Sequence, residues 1–176
     1  MSDRAPGAVL ISAERIRDRV AELGRAISND YRGEAVSLVG VLKGSLFFVA
    51  DLVRAIDLPV RYELLRVSTY GAERSPQRPP EVLLAADLEI KGRHLIVVED
   101  IADSGYTIDA VRRTLLAESP ASLKVCVLLD KPARRRVPVP LDYVGFEIED
   151  RFVVGYGLDH GERYRGLPYI AVLDPD

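Results

Sequence analysis

One cysteine, Cys126, stands in a chain of 176 residues. A lone thiol excludes an intramolecular disulfide framework, and its setting in the apolar run LKVCVLLD makes it buried strand filler rather than a nucleophile. Of two histidines, His94 opens a predicted strand and His160 is not read as a ligand. Charge of one sign is also lacking: 24 Lys and Arg stand against 27 Asp and Glu, a net −3. That balance gives no general affinity for nucleic acid or an anionic membrane, so any anion site must be built locally. No basic stripe with interleaved aromatics is present, which argues against RNA or DNA as a partner. No apolar stretch approaches a membrane span, and MSDRAPGAVLISAERIRDRV lacks the apolar centre of a signal peptide. Internal repeats and interdomain linkers are absent too. The expectation is one soluble, cytoplasmic domain over residues 1–176, with 48% hydrophobic and 29% charged residues and length enough for a continuous core.

What is present alternates between helix and strand patterns. Ser12 can cap a helix striped by Ile16, Val20, Leu23 and Ile27. Ala35–Leu42 reads as a buried strand, and Lys43-Gly44 as a sharp turn. A helix follows, with Leu46, Val49, Ala50 and Val53 on one face. Val60–Tyr70 is a longer strand. Gly71–Glu81 then carries three prolines, four charged residues and no periodicity, so it is a loop of lid length. VLLAADL, HLIVV, Ser122–Asp130, Tyr143–Phe146 and Leu167–Leu173 are further strands, and Ile108, Val111 and Leu115 stripe a short helix. Strands apolar almost throughout belong in a sheet covered on both faces, which predicts an α/β fold with a mainly parallel sheet flanked by helices. Ligands in such folds sit beyond the carboxyl ends of the strands.

The end of one strand carries unusual chemistry. In LIVVEDIADSGYT an apolar run meets Glu99, Asp100 and Asp103, then Ser104, Gly105 and Thr107. Hydroxyls and a glycine at a helix start make an anion site with the free backbone N–H groups. Three carboxylates would repel that anion, so they need other work. Glu99 and Asp100 can accept from vicinal hydroxyls or hold Mg²⁺ through water, and Asp103 is placed to act on a proton. A sugar phosphate satisfies the set. The competing reading leaves Glu99 and Asp100 as a solvated strand end, with Asp103 or Ser104 as a simple helix cap.

VVEDIADSGYT resembles the phosphoribosyl pyrophosphate (PRPP) signature of type I phosphoribosyltransferases. Three further stretches narrow the resemblance. VGVLKGSLFF is similar to the pyrophosphate loop of the hypoxanthine-guanine enzymes, STYG to the opening of their mobile loop, and DKPARR with FEIEDRFVVGYGLDHGERYRGLPYIAVL to their base-binding half. The resemblance implies a small hood built from the chain ends and a homodimer or homotetramer. It implies purine salvage, with phosphoribosyl passing from PRPP to N9 of a 6-oxopurine in the presence of Mg²⁺. Glu99 and Asp100 would hold the ribose hydroxyls, with metal at these two and at Asp159. Asp103 would be the acid/base at purine N7. Ser104, Gly105, Tyr106 and Thr107 would cradle the 5′-phosphate, and Lys43, Gly44 and Arg165 the pyrophosphate. In this family the bond before that lysine is often cis. Lys131, Phe152, Val153 and Asp159 would line the base, Lys131 donating to the 6-oxo group. Ser68, Thr69 and Tyr70 would open a mobile loop running to about residue 81.

Against the family pattern, Thr69 and Ser104 exchange hydroxyl residues, Ala102 is smaller than usual, and Gly157 adds backbone freedom near Asp159. Pro76, Pro79 and Pro80 stiffen the loop. Arg134–Arg136 read as a solvated run. Two alternatives stand beside the main reading: a xanthine-preferring phosphoribosyltransferase, and a regulator that senses PRPP on the same fold.

Overall fold

Apolar runs without polar alternation form the centre of the protein, a computed structural model of which describes residues 6–68, 81–83 and 88–173. Strands β2 (Val36–Leu42) and β5 (His94–Ala102) are buried on both faces because successive side chains point opposite ways and helices cover each side. Val36, Leu38, Ile96 and Val98 pack under α1 (Ala13–Asp30) and α2 (Leu46–Ala55). Val39, Val41, Leu95 and Val97 face α3 (Tyr106–Ala117). Each such side chain contributes about 1.5–3 kcal/mol by leaving water.

The main sheet has the order β4-β3-β2-β5-β6-β7, with β3 Val60–Ser68, β4 Glu81–Leu83, β6 Ser122–Asp130 and β7 Tyr143–Glu147. All neighbours are parallel except β4, which runs antiparallel to β3. The mainly parallel α/β expectation holds. Pairing of Gly40 with Val98 and of Ala102 with Asp130 brings the carboxyl ends of β2, β5 and β6 to one edge. A second, antiparallel sheet β1-β9-β8 (Val9–Ile11, Ile170–Val172, Val153–Val154) is the hood expected from the chain ends. Ile11, Val153, Tyr156, Leu158 and Ile170 share the core of α1 and α2, which fixes the hood over that edge.

Ser12 caps α1 as its residue type predicts, accepting from the Arg15 N–H at 3.3 Å. Three expectations need correction. The buried stripe of α2 is Phe48, Val49 and Leu52, while Leu46 and Phe47 are exposed, because almost every position there is apolar and period alone selects no face. Of the expected VLLAADL strand, Val82 and Leu83 lie in β4 and Leu88 is not in a strand, while residues 84–87 lie outside those described. Strand β5 does not stop at Val98 but carries Glu99 and Asp100 within it. Among the described residues no helix is long and apolar enough to cross a membrane.

Candidate active site

Inside β5, Glu99 is 7% and Asp100 9% exposed, so the solvated-strand-end reading is wrong. Burial, followed by the adjacent Asp100 charge, pushes the Glu99 carboxyl well above the ordinary carboxylate range. Burial raises Asp100 as well, opposed by hydrogen bonds from Glu99 and the Ile101 N–H and by the Arg165 charge. Asp100 Oδ1 accepts from that N–H at 2.8 Å. Oδ2 faces Gly44 so closely that a β-carbon there would lie 1.6 Å away. Oxygen Oε2 of Glu99 is buried without a hydrogen-bond partner, a cost that a bound donor or cation removes.

Beyond Ala102 the chain turns through Asp103 and Ser104 into Gly105, whose φ of 92° starts α3. Glycine is required twice over at this point. The left-handed backbone disfavours a β-carbon, and one would sit 2.4 Å from the Val137 carbonyl oxygen. Gly105 is the cap residue and no side chain caps the helix, so neither Asp103 nor Ser104 fills that role. The first turn of α3 therefore offers its backbone N–H groups beside Ser104, Tyr106 and Thr107, an arrangement suited to a phosphate. Tyr106 is exposed and Thr107 half-buried. Asp103 Oδ1 lies 3.4 Å from Arg134 Nε, an ion pair without hydrogen-bond alignment.

At the end of β6 the Lys131 side chain is 5% exposed and 3.8 Å from Asp150, which also pairs with Arg134 at 3.7 Å. The solvated reading of Arg134–Arg136 fails at Arg135, whose side chain is partly buried among β5 and β6 groups. Phe152 is 47% exposed, unlike a core phenylalanine, with its ring edge-to-face to His160 at 5.5 Å. Val153 is buried in β8 opposite Val172.

The remaining predicted residues come together across the edge of the sheet. The Leu42–Lys43 peptide bond is cis, as the resemblance implied. Lys43 Nζ meets Glu162 at 3.1 Å. Arg165 pairs with Asp159 at 2.9 Å and Glu162 at 3.3 Å, and donates to the Gly157 carbonyl at 2.7 Å. Asp159 Oδ2 accepts from the Glu162 N–H at 2.8 Å. At Gly157 (φ 104°) a β-carbon would lie 1.9 Å from the Gly44 oxygen, so Asp100, Gly44, Gly157 and Arg165 form one packed line. Ser68 ends β3, while Thr69, Tyr70 and the loop to residue 80 lie outside the described residues. Sequence reasoning missed Glu162, Asp150 and Arg135. The surplus of acids in LDHGER was a readable signal for the first; the other two depend on packing.

A pair of buried carboxylates at a parallel-strand end, opening onto a glycine-capped helix start and faced by Lys43 and Arg165, is an arrangement suited to a sugar phosphate. Residues 11–160 match the family model described as phosphoribosyl transferase domain, and the chain belongs to the phosphoribosyltransferase family. It is 47% identical over 173 residues to the hypoxanthine-guanine phosphoribosyltransferase of Mycobacterium tuberculosis, covering 95% of this chain and 86% of that one. The hypoxanthine phosphoribosyltransferase of Haemophilus influenzae is 47% identical over 166 residues, 93% of each chain. Among solved structures, a hypoxanthine-guanine phosphoribosyltransferase of Bacillus anthracis with HEPES in its active site is 42% identical, with a TM-score of 0.91 over 97% of this chain and 100% of that one. A ternary substrates complex of a mutant Trypanosoma cruzi hypoxanthine phosphoribosyltransferase gives 0.90 at 40% identity, over 97% and 96%. Within the family this protein groups with the hypoxanthine-guanine phosphoribosyltransferases, and it is a transferase.

Proposed function

We propose that the protein works in the cytoplasm in purine salvage, transferring phosphoribosyl from PRPP to N9 of hypoxanthine or guanine, with IMP or GMP and pyrophosphate as products. The observation that carries this reading is the buried Glu99–Asp100 pair, with Asp103 one turn on and the glycine-capped start of α3 beside it. The relatives' names support the choice of base. In this reading Glu99 and Asp100 grip the ribose hydroxyls, Ser104–Thr107 hold the 5′-phosphate, and Gly44, Lys43 and Arg165 take the pyrophosphate. Lys131, an ammonium with donors only, reads the 6-oxo group; Phe152 covers the ring and Val153 faces the base edge through its backbone. Asp103 holds or moves the proton at purine N7 while N9 attacks C1′. The buried carboxylates accommodate positive charge on the sugar, and Arg165 stabilises the leaving pyrophosphate.

The residues present suit Mg²⁺. Glu99, Asp100 and Asp159 offer hard carboxylate oxygens, and Glu99 Oε2 has no partner. Among the described residues no three such side chains gather as a complete ligand set, which suits an ion that keeps water and substrate oxygens. Bound there, the metal would neutralise charge on the pyrophosphate. A homodimer or homotetramer is proposed on the same family grounds.

The deciding experiment is nucleotide formation from PRPP with hypoxanthine, guanine, xanthine and adenine in parallel, with and without Mg²⁺. Metal-dependent IMP or GMP is the expected result. No product from any base by folded protein that still binds PRPP would overturn the enzyme reading and favour a sensor; product from xanthine alone would change the base.

A further inference from the structure

Arg135 ends the DKPARR stretch, yet the proposed reaction gives it no role. Its guanidinium donates through Nε to the Asp103 carbonyl at 3.0 Å and through Nη2 to the Ala102 carbonyl at 2.9 Å. The same Nη2 pairs closely with Asp130, and both side chains are 17% exposed. One planar fork thus joins the last residue of β5, the proposed acid/base and the last residue of β6. The stem fills the space beside Gly105, its Cδ 3.1 Å from where a β-carbon would stand. The next two residues complete the seam: the Arg136 and Val137 N–H groups donate to the Ser104 carbonyl at 2.9 and 3.0 Å.

The consequence follows from peptide geometry. A carbonyl oxygen and the N–H of the next residue share one rigid plane and, in a trans bond, point opposite ways. Pinning the Ala102 and Asp103 oxygens therefore aims the Asp103 and Ser104 N–H groups away from Arg135, out of the far side of the turn. We infer that Arg135 is a positioning residue: it orients the Asp103–Gly105 turn that leads into the phosphate-binding start of α3, and with it the Asp103 side chain, and it couples that turn to the proposed base-reading Lys131 turn, whose Lys131 N–H shares the Ala102 carbonyl at 3.0 Å. The inference rests on the placement of the 5′-phosphate and Asp103 proposed above. A lysine has no fork to span two consecutive carbonyls, so the role belongs to the guanidinium shape as much as to its charge.

The test compares Arg135→Ala, Arg135→Lys and, as control, Arg136→Ala in the full chain. Three readouts are needed: amide hydrogen exchange over residues 102–107, separate affinities for IMP and for pyrophosphate with Mg²⁺, and turnover with and without added guanidinium chloride at non-denaturing concentration. For Arg135→Ala the expected results are faster exchange confined to residues 102–107 and weaker IMP binding with unchanged pyrophosphate binding. A loss of about 10–100-fold in kcat/KM should accompany them. Guanidinium should restore part of the turnover, Arg135→Lys should lie between the two, and Arg136→Ala should match wild type. Unchanged exchange over residues 102–107 overturns the inference. So does parallel loss of IMP and pyrophosphate binding with a lowered melting temperature, since that marks general structural damage; if Arg135→Ala does not fold, Arg135→Lys decides by the same readouts. Wild-type protein that binds no IMP would sink the phosphate assignment, and the exchange result would still decide what Arg135 orients.

Discussion

Glu162 and Lys43, 119 residues apart in the chain, meet at 3.1 Å, and the other carboxylate oxygen of Glu162 lies 3.3 Å from Arg165. A single exposed carboxylate thus sits on both cations proposed for pyrophosphate. On the proposed assignments a bound pyrophosphate group would displace it. Solvent screens an exposed ion pair, so its effect is small, and Glu162→Gln should lower the KM for PRPP by about 1.5–5-fold. Initial rates across PRPP concentrations test this; an unchanged or raised KM would mean that Glu162 supports the cations rather than competing for them.

Asp103 carries no structural duty as a helix cap, since Gly105 takes that position. Asp103→Asn should therefore keep its fold and melting temperature while turnover falls by about 10²–10⁴-fold. Loss of both together would assign the side chain to stability.

The packed line from Asp100 through Gly44 to Gly157 leaves no room for a methyl group. Gly44→Ala must push the Asp100 carboxylate aside and should weaken PRPP binding by at least tenfold, about 1.4 kcal/mol. Gly157→Ala adds a φ of 104° to a clash with backbone and should destabilise the fold by about 1–3 kcal/mol. Calorimetric titration of PRPP separates the first effect, urea denaturation the second.

At the far end of the sheet Lys124 and Tyr143 both donate to Asp30, at 2.8 and 2.6 Å, which holds that carboxyl below its ordinary 3.8. A carboxyl lowered by folding stabilises the native state above its unfolded pKa, and the gain is lost as pH falls through the folded value. Lys124 is raised from its ordinary 10.5, chiefly by the same bond, so its share is present below that value and fades at stronger alkali. Asp30 is 46% exposed, and solvent screening keeps the contribution under about 1 kcal/mol. Asp30→Asn should be less stable than wild type at pH 7, and the gap should narrow at pH 3. A gap that widens in acid would reverse the sign.

How far the sequence could be read varied with the physics involved. The α1 stripe of Ile16, Val20, Leu23 and Ile27 was plain, because polar residues on the other side leave one face to bury. In LFFVADLVRA the apolar excess hides the face, and only packing against β2 selects Phe48 and Leu52. The motif drew attention to Glu99, Asp100 and Asp103, and the structure sets all three at the carboxyl edge of the sheet. The burial of Glu99 and Asp100 was invisible, since at Asp100 it depends on Gly44 arriving beyond the end of β2. Arg135 was hidden inside a run of three arginines. Its environment exists only once the register of β5 and β6 sets Ala102 beside Asp130.

The hood has a temporal consequence. β1 and β8 do not pair with each other; both pair with β9, and the Gly7 N–H donates to the Val172 carbonyl at 2.8 Å. A chain emerging from the ribosome can complete β2, β5, α3 and β6, and with them the Asp103–Thr107 turn, while the strand holding Val153 still lacks its neighbour. On the proposed assignments, synthesis delivers the sugar-phosphate edge first, and the strand that faces the base gains its neighbour only when Ile170–Val172 are made.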